Sequence, residues 1–225
     1  MSDSHSSSVA RRGFLFRLTQ AAAGIAGLAV VPRGLDAAEP REAPADADAW
    51  IDRLKGQHKV MLHVHQHIGT VLLDARNMLN NARDLYGVPE AQYNVAVLTH
   101  GPAIGGLLRD ELWQKQTLGD FYKVSDKGTG AAATRNVYLA PIDGEPPDAT
   151  VPDLMKRGVS FVVCNVAMRT LAKRLAARSG GDADAVYSEL AAGLVPGTFL
   201  VPDLFVSMQR AQKRGVGYLF TDRPH

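Results

Sequence analysis

His63, His65 and His67 alternate along one short segment, Lys59-Val60-Met61-Leu62-His63-Val64-His65-Gln66-His67. A strand turns every second side chain to the same face, so the three imidazoles would lie together. Imidazole is a common ligand for Zn or Cu, and alternate strand residues can chelate one transition metal ion jointly. His63, His65 and His67 are therefore a candidate metal site. The spacing fits equally a hydrogen-bonded core histidine at 63, with His67 already in the loop beyond. A fourth imidazole, His100, closes the run Tyr93–Thr99 ahead of Gly101-Pro102.

The chain has one cysteine, Cys164, placed after Val159-Ser160-Phe161-Val162-Val163 and before Asn165. A single thiol cannot close a disulfide within its own chain, so it is buried and inert, paired between chains, or reactive. Its place at a strand-to-helix turn favours reactivity, because the positive end of a helix dipole stabilises a nucleophilic sulfur. No acid–base pair stands beside it in sequence. Sulfur transfer or ligand binding through Cys164 thus suits it better than Cys-His hydrolysis. His67, His100 and Asn165 are the candidate ligand-binding residues around it. The Gly-rich stretch Gly101–Gly106 lacks the lysine of a phosphate loop and the spacing of a dinucleotide fold.

What must position these residues is an alternation of strands and helices. Breaker-free apolar runs predict strands at 59–65, 93–99, 159–163, 198–201 and 217–220. Periodic apolar residues predict helices at 70–86, about 103–116, 167–178, 182–192 and about 203–214, with a helical turn at 153–157. Residues 117–150, rich in Gly and Pro, read as a long excursion with a strand-like piece at 136–140. Strand-helix alternation predicts an α/β fold: three layers, α/β/α, around a mainly parallel sheet of about five strands. In such sheets ligands bind outside the carboxyl ends of the strands. His67, His100 and Cys164 all fall at that edge.

The N-terminus carries a different message. Arg11-Arg12 stands ahead of Phe14-Leu15, eleven uncharged residues follow at Ala21–Val31, and small residues occupy Ala37-Ala38. Charged start, short apolar stretch and small-residue exit make residues 1–38 an expected twin-arginine export signal. The apolar stretch is about half of what a membrane span needs. The mature protein is expected in the periplasm, with no stable membrane anchor after signal removal. Residues 39–57 read as a flexible lead-in, with Trp50 to Leu54 a short helix or strand, and 58–225 as a single domain. The full chain has 25 basic and 23 acidic residues. Taking away Arg11, Arg12, Arg17, Arg33, Asp3 and Asp36 leaves 21 of each. A neutral mature chain offers no basic surface for nucleic acid.

Val97-Leu98-Thr99-His100-Gly101-Pro102, then Phe161-Val162-Val163-Cys164-Asn165, then Val201-Pro202 leading to Gly215-Val216-Gly217-Tyr218, resemble the DsrE/DsrF-like family across most of 58–221. The resemblance implies the α/β/α fold, assembly as a homo-oligomer (trimer or hexamer), and sulfur relay through a strand-end cysteine that carries a persulfide. Cys164 matches that cysteine. Small sulfur species or a sulfur-carrier protein would be its partners.

Overall fold

Strand β1, His58–Val64, is a run of aliphatic residues whose alternation divides the molecule. Val60, Leu62 and Val64 enter one apolar cluster, whereas Met61 enters a second on the opposite side. The computed structural model describes residues 47–66, 68–141 and 144–222. The expected export signal (1–38), the start of the 39–57 lead-in, and His67 lie outside them.

The other strands are β2 (Tyr93–Thr99), β3 (Ser160–Cys164), β4 (Phe199–Val201) and β5 (Gly217–Phe220). They form one five-stranded sheet in the order β4-β3-β2-β1-β5, with every pairing parallel. Helices cover both faces, so the expected α/β architecture is the observed one. All five residues of β3 are buried, as a central parallel strand requires.

The first face of the sheet is packed by α2 (Ile68–Tyr86), α6 (Asn165–Ser179) and α7 (Ala183–Ala192). Between them lie α3 (Asp110–Lys115), α4 (Leu118–Tyr122) and α5 (Val151–Lys156). Val71, Leu72, Ala75 and Leu79 of α2 keep the helical period and are buried. The second face is packed by α1 (Ala49–Asp52) and α8 (Leu204–Lys213). Asp182 and Asp203 cap α7 and α8 by accepting from the backbone N–H of Ala185 and Val206.

Three expectations are corrected. The lead-in at 39–57 is not loose throughout. From residue 47 it is folded, with Trp50, Ile51 and Leu54 buried and Trp50 Nε1 donating to Ser207 Oγ at 2.8 Å. The single helix expected at 103–116 is a 3-10 segment, Gly101–Leu107, followed by α3. Gly105 and Gly106 cause this: they allow close approach of the Tyr122 and Ile68 side chains, and Leu108 is extended. The strand-like piece at 136–140 is a turn. Asn136 reshapes it, because its amide donates to the carbonyls of Leu108 and Gly106 (2.7 and 2.9 Å). Its Oδ1 accepts from Tyr138 N.

Candidate functional site

β1, β2 and β3 are parallel neighbours, so their carboxyl ends form one rim. On the second face that rim holds three imidazoles. His63 Nε2 and His100 Nδ1 are 2.9 Å apart, and the His65 ring centroid lies 4.3 Å from that of His100. The other nitrogen of His63, Nδ1, is 2.9 Å from the Tyr218 hydroxyl. Phe205 meets the His63 and His100 rings edge-on at 5.8 and 5.4 Å, and Phe220 stands 5.3 Å from His63.

The backbone fixes this cluster from three sides. Gly101 has a φ of 60°, and any side chain there would collide with the His65 imidazole. Thr221 donates from its N–H and its hydroxyl to the carbonyl of His63 (3.0 and 3.1 Å). The Asp222 carboxylate accepts from the backbone N–H of His65 and Gln66 at 2.9 and 3.1 Å. β5 thus clamps the exit of β1.

Burial disfavours the charged form of both linked histidines. It lowers the His63 pKa below its ordinary 6.5, with the Asp222 charge acting in the opposite sense. His100 falls to about 4, first through burial and then through repulsion from His63 and His65. At neutral pH His100 is an uncharged imidazole whose Nδ1 is engaged by His63. Its remaining nitrogen, Nε2, is the one left to take a proton or hold a ligand.

Cys164 is 3% exposed and free, in the same buried cluster as Met61, Leu98, Val162, Val201 and Leu204. Thr99 pairs with Val163 in the β2–β3 register. His100 remains extended beyond Thr99, so His100 and Cys164 stand level, each one position further along adjacent strands. Adjacent strands lie about 4.8 Å apart. Leu98 and Cys164 share the second face, which His100 reaches by the same alternation. Asn165 begins α6, and its Oδ1 is enclosed without a hydrogen-bond partner among the described residues.

Of the expected site residues, His63, His65, His100, Cys164 and Asn165 all lie at this rim, and His67 is outside the described residues. His63 has both nitrogens engaged, by Tyr218 and His100, and among the described residues no three His, Cys, Asp or Glu groups are placed to hold a metal. His63 thus pairs with His100 across two strands. Sequence reasoning missed Tyr218, Phe205, Phe220 and Asp222. Tyr218 and Phe220 do alternate, and with β5 beside β1 that alternation is the signal that places them against His63.

A cavity of about 420 Å³ lies away from the histidines, between the first turn of α2 and residues 124–149. The charged side chains on its wall are already paired, Lys127 with Glu145 and Arg135 with Asp126. Among the described residues no helix is long and apolar enough to cross a membrane.

No family model matches the chain, and no curated protein matches it. Among solved structures it aligns with a protein of unknown function from Methanobacterium thermoautotrophicum. The two are 20% identical, with a TM-score of 0.38 over 72% of this chain and 98% of that one.

Proposed function

We propose that this is a DsrE/DsrF-like sulfur-handling protein, exported to the periplasm, that accepts sulfane sulfur on Cys164 with His100 as proton acceptor. One observation carries the reading: a neutral imidazole and the chain's single thiol stand level on adjacent parallel strands, at the rim where such sheets bind ligands. His100 Nε2 takes the thiol proton. The thiolate then attacks the outer sulfur of thiosulfate or a polysulfide, and the donor's S–S bond breaks. Sulfite or the shortened polysulfide leaves with the electron pair, and Cys164 keeps a persulfide. The thiol is buried, with Leu204 in the same apolar cluster, so a donor reaches it only when that cover opens.

Phe205, Val206, Tyr218, Leu219 and Phe220 are exposed, and Phe205, Tyr218 and Phe220 contact the histidine rings. An apolar surface on a free edge strand supports a homo-oligomer, trimer or hexamer. Small sulfur species or a sulfur-carrier protein would be its partners. The test is mass spectrometry after incubation with thiosulfate or polysulfide. An adduct of about 32 Da, one sulfur atom, is expected on the wild type and absent from Cys164→Ser. An unmodified wild type at donor excess overturns the reading.

A second reading is favoured by His65 Nδ1, which is enclosed with no partner among the described residues. On it the crevice is a non-catalytic module that binds Zn, Cu or a small ligand. Metal content of protein purified from its native compartment tests this: one ion per chain, lost in His65→Gln, supports it.

A further inference from the structure

We propose that a second cavity, walled by Ile68, Pro102, Trp113, Phe121, Tyr122 and Arg174, binds a small carboxylate whose anionic head sits between the Arg174 guanidinium and the Tyr122 hydroxyl. The cavity has a volume of about 170 Å³ and lies on the first face of the sheet, opposite His63 and His100. It therefore stands apart from the sulfur reading.

Three observations converge on an anion. The Tyr122 hydroxyl is fully enclosed and has no hydrogen-bond partner among the described residues. Leaving such a donor unpaired is unfavourable, so an acceptor belongs beside it. Arg174 reaches the same cavity over the Phe121 ring, 5.3 Å from its centroid, and no carboxylate among the described residues pairs with it. No Asp or Glu lines the cavity. Trp113 Nε1 is already engaged, donating to the Gly105 carbonyl at 2.8 Å. Besides the Gln66 amide, which can donate or accept, what remains on the wall is donors and positive charge. Burial also pushes the Tyr122 phenol up, so it stays a donor throughout the neutral range.

Size and wall chemistry narrow the class. A volume of about 170 Å³ is below that of typical nucleotide or cofactor pockets, roughly 300–1,000 Å³. Ile68, Pro102, Phe121 and Trp113 supply an apolar wall, which suits a short alkyl chain behind a carboxylate. Sulfate or phosphate would leave oxygens facing that wall without donors. Gly105 holds the pocket's shape, since a side chain there would collide with the Tyr122 ring.

The experiment titrates the full folded chain with acetate, propionate and butyrate, and with sulfate and phosphate, at constant ionic strength. Saturation-transfer NMR and Trp fluorescence are the readouts. Saturable binding of at least one carboxylate is expected, weakened about tenfold or more in Tyr122→Phe and in Arg174→Gln, and unchanged in His100→Gln. Tyr122→Phe removes an unpaired buried hydroxyl, so its melting temperature should equal or exceed the wild type's. Arg174 is exposed, and its substitution leaves the core intact. Tighter binding of sulfate or phosphate, no saturable binding of any carboxylate, or full affinity in both variants would each overturn the proposal.

Discussion

The two faces of the sheet meet the same rim and treat polar groups in opposite ways. On the first face, most polar atoms are absorbed into the packing, the Tyr122 hydroxyl being an exception. Asn136 binds the carbonyls that the 3-10 segment leaves open, and Trp113 holds Gly105. Thr99, on the same side, donates to the Val162 carbonyl at 3.1 Å. On the second face, the polar groups are imidazoles linked to each other and to a phenol, under a thin cover of α1 and α8. One strand makes both faces, because Leu62 and Val64 point one way and His63 the other. The thick layer fixes the sheet, which leaves the thinner layer able to hold titratable groups near solvent.

The largest expected effect probes the thin layer. Trp50 is its biggest side chain, wholly buried and tied to Ser207. Trp50→Ala should cost about 3–5 kcal/mol in urea unfolding and expose Cys164 to alkylation. A loss below about 1 kcal/mol would mean that α1 does not belong to the second core. Asn136→Ala tests the thick layer. It leaves buried carbonyls without donors and should cost about 2–3 kcal/mol, with the histidine cluster unaffected. A change in cysteine reactivity in that variant would show that the faces are not separate.

The smallest expected effect is acid sensitivity on the second face. His100 has a folded pKa of about 4 against an ordinary 6.5, so between those values the unfolded chain binds the proton first. Its contribution is fully present above pH 6.5 and is lost as pH falls toward 4. For a half-open ring this amounts to about 1–2 kcal/mol after discounting for solvent access. The pH dependence of the wild-type melting temperature between pH 7 and 5 should flatten in His100→Gln. Equal slopes would place His100 in open solvent.

Much of the fold was legible because β1, β2 and β3 are unbroken apolar runs and α2 keeps its period through a Gly87 stop. Strand order was not, since nothing local in Gly217–Phe220 says that it pairs with β1 rather than β4. The same gap hid half the site. His63, His100 and Cys164 stand at strand ends that sequence alone marks, whereas Tyr218 and Asp222 reach the histidines only through that pairing. Asn136 misled for a local reason: Val137-Tyr138-Leu139 has strand composition, and a side-chain amide overrides it.

Activation of Cys164 by His100, as proposed, would set the rate of sulfur uptake. Wild type, His100→Gln and His58→Gln would be mixed with excess polysulfide at pH 7.5, and the adduct of about 32 Da followed by quenched mass spectrometry. His58, at the opposite end of β1, serves as control. The account predicts a rate at least about a hundredfold lower in His100→Gln, the low end of general-base effects, and unchanged in His58→Gln. Equal rates in all three proteins would contradict it.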